Sequence, residues 1–275
     1  MGGAARSGIS YPWAAPAGGG PRTAEVRSGT LVLTPGLQRS VLDMHVHSAV
    51  ASSDSTLDPH KLPELARDAG LTGVNISEHD KMWDRHLRAE YRAQHTDFFV
   101  NFGMEISTDL GHMLAFGLPA YISGIRWAEQ LRKELDAVGG FLIVAHPFRH
   151  VFDNVTAMRK DSVPFELTPA EAARLPVFQL ADAIEVANGC NTPRENYFAY
   201  EVAKELGLPT TGGSDAHSES GIGYYATGFE RELQSEAELL EELHAGRFEA
   251  IVRSADGDFA RFEPGVVEAV AAARG

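Results

Sequence analysis

From about Thr30 onward, short apolar runs take turns with segments of helical pattern, and one run after another ends in a histidine or a carboxylate. The runs include "VLDMHVH", "LTGVNIS", "FFVNFGMEIS", "HMLAFGL", "FLIVAHP", "DAIEVANG", "LPTTGGSDAH" and "RFEAIVRS". Between them lie "DPHKLPELARDAG", "DRHLRAEYRAQH", "SGIRWAEQLRKELDAVGG", "PRENYFAYEVAKELG" and "SEAELLEELHAG". Such alternation over about 240 residues predicts an α/β fold with a parallel sheet covered by helices, and the length suits one closed barrel. In the segment after Ser123, residues Ile125, Ala128, Leu131, Leu135 and Val138 share one helical face, so a helix capped by Ser123 and stopped by the pair Gly139 and Gly140 is expected. Residues 1–29, rich in Gly, Ala and Pro, read as a flexible tail, and 30–275 as a single domain.

The polar residues at the ends of the runs are His45 and His47, Glu78 and His79, Glu105, His146, Asn188, and Asp215 with His217. In a barrel of parallel strands those ends converge on one mouth, where function is placed. His45 and His47 are one residue apart on a strand and therefore share a face. A lone histidine there is commonly a hydrogen-bonded structural residue. Six of them (His45, His47, His79, His112, His146 and His217), joined by Asp54, Glu105 and Asp215, are costly to gather without a cation. Imidazole and carboxylate donors suit zinc, manganese or iron. Nine ligands exceed the needs of one ion, so two or three are implied, with a carboxylate such as Glu105 bridging a pair. Three divalent ions would outweigh three carboxylates and leave a positive pocket, which favours a phosphate.

Composition narrows the classes. The chain has 44% hydrophobic and 23% charged residues, the make-up of an ordinary soluble globular protein, and its net charge of -14 disfavours a basic patch for nucleic acid or anionic membrane. No window is apolar enough for a membrane span and the start lacks the compact apolar core of a secretion signal, so a cytoplasmic location is expected. The single cysteine, Cys190, excludes an internal disulfide framework and reads as a small packed side chain.

The ordered stretches "DMHVHS", "SEHD", "GMEIS", "GHMLAFG", "VAHPFR", "EVANG" and "GSDAH", spanning about Val41 to His217, resemble the motifs of the PHP (polymerase and histidinol phosphatase) family. The resemblance implies a distorted (β/α)7 TIM-like barrel with three divalent metal ions (Mn, Zn or Fe). It implies that His45, His47, Glu105 and Asp215 hold one ion, that Glu105, His112 and His146 hold the second, and that Asp54, His79 and His217 hold the third. The loop between His47 and Asp54 is slightly longer than the usual pattern, which makes Ser53 the neighbouring alternative to Asp54.

A metal-dependent phosphoesterase is the resulting expectation: hydrolysis of a phosphate ester of a small molecule or nucleotide by a metal-bound hydroxide at a trinuclear centre. Asp215, Glu105 and Arg149 are the expected catalytic residues. Arg149, three residues past His146, has the planar fork that grips a phosphate, against a solvated loop arginine. Asn188, and Arg194 at a helix start, are further candidates for substrate contact. Asn191 could contact substrate or supply turn chemistry, and Glu78 could orient a ligand or form a structural ion pair. The partner is a small phosphorylated substrate, with nucleic acid less favoured and no membrane. An exonuclease or nucleotide phosphodiesterase of the same family, or an amidohydrolase, is the alternative, although the latter would want a bridging lysine where Glu105 stands. A degenerate, purely structural relative should have lost ligands, and all nine positions are filled. The connection 149–180 is expected to cover the mouth and set specificity.

Overall fold

Strand β1 (Ser40–Val46) is buried along its whole length and sits inside a ten-stranded sheet, with His45 near its far end and His47 just past it. The computed structural model describes residues 38–152 and 165–267, all within one unit, Leu33–Gly275. The expected tail at 1–29 and residues 153–164 of the expected cover lie outside the described residues. After β1 come α1 (Leu62–Asp68), β2 (Gly73–His79), α2 (Arg85–Gln94), β3 (Phe99–Thr108), β4 (Gly111–Phe116), α3 (Ala128–Val138) and β5 (Phe141–Val144). Then follow α4 (Pro169–Ala172), a 3-10 turn (Pro176–Gln179), β6 (Ala183–Asn188), α5 (Pro193–Leu206), β7 (Thr210–Gly213), β8 (Tyr225–Phe229), α6 (Glu236–Ala245), β9 (Phe248–Arg253) and β10 (Phe259–Arg261). No helix among the described residues is long and apolar enough to cross a membrane.

The strand order is β10-β9-β8-β1-β2-β3-β4-β5-β6-β7. Pairs β1–β2, β2–β3, β5–β6 and β6–β7 are parallel, as expected. The strict alternation of strand and helix is not kept: β4 follows β3 directly and runs antiparallel to both β3 and β5, and β8, β9 and β10 extend the sheet antiparallel from β1. The sheet is curled, because the chain leaving β7 returns to β1: Asp215 N donates to His45 O (2.7 Å) and His47 N donates to Ala216 O (3.0 Å). Gly213 permits this approach, since a Cβ there would stand 2.6 Å from the His45 Cβ.

Burial of apolar faces holds the layers together, at about 1.5–3 kcal/mol for each fully buried large side chain. Val41 and Val46 pack with Leu62 and Ala66 of α1, whereas Leu42 and Met44 pack with Leu239 and Leu243 of α6. One helix starts later than its pattern predicts. Helix α3 begins after Trp127, not Ser123, and its first free N–H, on Ala128, is met by Asp109 Oδ1 at 2.8 Å from outside the helix. Ile125 is buried in the approach to the helix, Val138 is exposed, and the stop at Gly139 in the left-handed region is as expected.

Candidate metal centre

The parallel strands deliver their polar ends to one place. In the β2–β3 register His79 stands beside Glu105, and the backbone bonds from the turn after β7 set Asp215 beside His45. His112 reaches the same mouth from the opposite direction. It stands at the start of β4, paired with Ser107, because an antiparallel strand begins where its parallel neighbours end.

All nine residues expected as metal ligands are brought together. His45 Nε2 lies 3.3 Å from Glu105 Oε2 and 3.6 Å from Asp215 Oδ1; His47 Nε2 lies 3.3 Å and 3.2 Å from the same two oxygens. These four atoms are buried and none makes a hydrogen bond of good geometry, although His79 Nδ1 also stands 2.9 Å from Glu105 Oε2. Their neighbours fix the protons. His45 Nδ1 faces the Glu185 carboxylate at 3.0 Å and must donate to it. Ser52 gives its single hydroxyl proton to Glu78, so it accepts from His47 Nδ1 at 3.3 Å. With each ring neutral, both Nε2 atoms are then bare lone pairs, and the set consists of four acceptors facing one another. Such a set is repulsive unless a positive charge sits among it. Ligands around an ion at about 2.0–2.1 Å would stand roughly 3.3–3.4 Å apart in a tetrahedron, and the four nitrogen–oxygen separations lie near that value.

Two further groups adjoin this one. His112 Nδ1 and His146 Nε2 converge on Glu105 Oε1 at 2.7 Å and 2.6 Å. Asp54 Oδ2 lies 3.3 Å from His79 Nε2 and 3.5 Å from His217 Nε2, and those two nitrogens are 3.2 Å apart. His217 Nδ1 donates to the Asp215 carbonyl (2.9 Å), which leaves Nε2 bare. Among the described residues, the subsets whose donor atoms all lie within 4.8 Å of one another are His45, His47 and Glu105; His45, His146 and Asp215; His47, His79 and His217; and His79, Glu105 and His112, a grouping that overlaps the expected one without coinciding with it. The expected third group is the open one, with Asp54 58% exposed against 1% for Glu105.

The electrostatics point the same way. Burial opposes charge on His45, but Asp215, Glu185 and Glu105 outweigh it and hold its proton affinity well above that of an ordinary histidine. Burial likewise pushes Glu105 and Asp215 up. His45 and the other histidines around Glu105, and His45, His47 and Arg149 around Asp215, outweigh it and keep both carboxyls well below the usual range. A pocket of ionised carboxylates that draws extra protons draws any other cation too.

The remaining candidates separate. Arg149 is at the site, but its fork turns inward: Nε donates to Asn191 Oδ1 (3.0 Å), and one terminal nitrogen donates to Asn188 Oδ1 (2.8 Å) and to Asp215 Oδ2. Its other terminal nitrogen makes no hydrogen bond among the described residues. Asn188 is buried and fully engaged, accepting from Arg149 and Cys190 N while donating to Glu185 Oε2 (2.9 Å) and Asp215 Oδ2 (3.3 Å). Its side-chain amide is thus spent on contacts within the protein, one of them to Asp215. Arg194 stands apart from the cluster, its guanidinium 4.2 Å over the Phe152 ring at the start of α5. Glu78 forms no ion pair among the described residues; it accepts from Ser48, Ser52 and Trp83 Nε1 (2.7 Å) and connects to His47 through Ser52.

Two buried acids were missed by sequence reasoning. Glu185 sits behind His45 and His146. Asp43 accepts from His45 N, Ser214 N and Gly223 N, and burial pushes its carboxyl up to about 6 in spite of those bonds. The available signal was the period of two, since Asp43 shares a strand face with His45 and His47. The backbone marks the site as well: His146, Phe148, His150, Asp215 and Asp80 are non-glycine residues with positive φ, and all lie at or beside these strand ends.

Residues 193–248 match the model of the PHP-associated family, PHP_C. No curated protein matches the chain in sequence. Among solved structures, the chain is similar to a two-domain Bacteroides vulgatus protein described as containing a predicted PHP-like metal-dependent phosphoesterase. The TM-score is 0.52 at 21% identity, and the match covers 77% of this chain and 64% of that one. It is also similar to PsfC from Pseudomonas syringae, with a TM-score of 0.54, 17% identity, and 86% and 97% of the two chains covered. At these identities the likeness is one of fold.

Proposed function

We propose, for a chain of the PHP family, that it is a metal-dependent phosphoesterase whose substrate is a small phosphate ester. The observation that carries the reading is the set of four buried acceptor atoms of His45, His47, Glu105 and Asp215, spaced as ligands of one ion. In this reading Glu105, His112 and His146 hold a second ion, Asp54, His79 and His217 hold a third, and the curled sheet is a distorted (β/α)7 barrel. Bound there, divalent ions would supply Lewis-acid charge and lower the pKa of a bound water. Glu105, with its two oxygens turned to different nitrogen groups, would be shared between two of the positions. Arg149 braces Asp215 and offers its remaining terminal nitrogen to a phosphoryl oxygen. A small substrate is favoured over nucleic acid by the net charge of -14.

Metal analysis together with a panel of phosphomonoesters, nucleotides and short oligonucleotides, each with Mn, Zn or Fe supplied, tests the reading. More than one metal equivalent per chain and turnover of a monoester are expected. Metal below one equivalent after reconstitution, or hydrolysis of amides alone, would sink it.

A further inference from the structure

Glu185 lies in the middle of β6, fully buried, with no lysine or arginine paired to it among the described residues. A lone carboxylate in that position is expensive unless hydrogen-bond donors surround it. They do: Oε1 accepts from His45 Nδ1 (3.0 Å), and Oε2 accepts from the backbone N–H of His146 (2.8 Å) and from Asn188 Nδ2 (2.9 Å), with His45 Nδ1 at 3.2 Å as well. Asn188 passes the connection on to Asp215 Oδ2 at 3.3 Å. One acid thus ties His45 on β1, His146 after β5 and, through Asn188, Asp215 after β7. The space is built for it, since a Cβ on Gly213 would come within 3.1 Å of Glu185 Oε1 and 2.6 Å of the His45 Cβ.

We propose that Glu185 is a positioning residue that holds His45 in its Nδ1–H tautomer and so aims the Nε2 lone pair at the metal position. It touches neither ion nor substrate, and the inference rests on the metal reading above. A carboxylate is required here, and an amide of the same shape fails. With its oxygen toward His45, a glutamine would turn its NH2 onto the His146 N–H and Asn188 NH2, donor against donor. Flipped, it would press NH2 against His45 Nδ1 and favour the opposite tautomer, with Nε2 protonated. Carboxylates placed behind ligating imidazoles are worth about 10- to 100-fold in metal affinity.

The test compares full-length wild type, Glu185→Gln and Glu185→Asp. Zinc affinity is measured by chelator competition, the His45 ring by 15N-histidine spectra, and the fold by circular dichroism. With circular dichroism unchanged, the tightest zinc site of Glu185→Gln should weaken about 10- to 100-fold, and the exchange-protected Nδ1–H of His45 should vanish. Glu185→Asp, which keeps the acceptors but withdraws them by one methylene, should recover part of both. Wild-type zinc affinity in Glu185→Gln, or survival of the Nδ1–H signal there, overturns the proposal. Should Glu185→Gln fail to fold, the wild-type spectrum decides: an Nδ1–H on His45 bonded to a carboxylate upholds it, and a bare Nδ1 overturns it. If wild type binds no zinc, the metal reading fails. The His45–Glu185 bond is still read from the spectrum of that same sample.

Discussion

Asp215 divides its work between two oxygens. Oδ1 faces His45 and His47, and Oδ2 is held by Arg149 and Asn188. Asp215→Asn cannot serve both sides, because its NH2 must point either into the acceptor cluster or at the donors of Arg149 and Asn188. Asparagine tolerates the positive φ of this position, so backbone strain does not explain the expected loss. Asp215→Asn, like His45→Ala, should abolish phosphoester turnover and lower metal content, with circular dichroism close to wild type. Near-normal turnover in either would remove that residue from the metal centre. Arg149 carries a second expectation, revised by its inward fork: Arg149→Ala should lose roughly ten- to a hundredfold in kcat/KM and also retain metal less well on dialysis, with Arg149→Lys in between. Unchanged metal retention would return Arg149 to a purely substrate-facing role. The candidate cluster was legible because histidines two apart, or at the end of an apolar run, have few other uses in a strand. The direction of the Arg149 fork was not. It follows from left-handed backbone at Phe148 and His150, and neither residue type announces such a turn. Glu185 was hidden for another reason, since an acid midway along the apolar run "AIEVAN" has no histidine nearby in sequence to mark it.

Among the elements, β4 shows what periodicity cannot say. The run "HMLAFGL" is a strand, as read, but an apolar run has no arrow. Its direction is set by the tight connection through Asp109 and Leu110 and by Gly111, at φ 110, where other residue types would be strained. That reversal is what lets one hairpin contribute both Glu105 and His112. Helix α3 likewise takes its start from a distant aspartate, a long-range cap that no local pattern contains. At the other edge, Arg247 clasps Glu242 with two bonds, 2.9 Å and 2.7 Å, and joins the end of α6 to β9. The hydrogen bond from Arg247 holds the Glu242 carboxyl below its ordinary range. A depressed folded-state pKa contributes stability above the unfolded value, about 4.3, which is lost as pH falls through the folded one. Glu242→Gln should therefore cost about 0.5–1 kcal/mol at pH 7, kept small because Arg247 is half exposed, and the difference from wild type should close on acidification below pH 4. Denaturant melts at pH 7 and pH 3 check this; an equal gap at both would deny the ion pair its role.

For the molecule as a whole, cations at the centre would bind the folded state alone, so their removal should lower stability. At a ligand concentration a hundred times Kd the linkage is about 2.7 kcal/mol, which corresponds to a fall in Tm of roughly 5–10 °C for a chain of this size. Thermal melts before and after chelation, with recovery on adding back Mn or Zn, measure it. A Tm indifferent to chelator would mean that the four facing acceptors are satisfied by protons. The α/β class and the converging strand ends were visible in the sequence. The antiparallel extension β8–β10 was not, because which edge a late strand joins is decided by packing across the sheet.

The return of the β7 turn onto β1 also sets the order of events in folding. Asp43 and Ser214, whose bond anchors that return, are 171 positions apart, so closing the loop between them is among the longest-range steps of folding. The histidines of β1 are among the first of the candidate ligands to be synthesised and among the last to gain all their companions. Metal capture is then a late step: in a refolding experiment zinc uptake should lag behind the recovery of helix and report the moment the sheet curls shut.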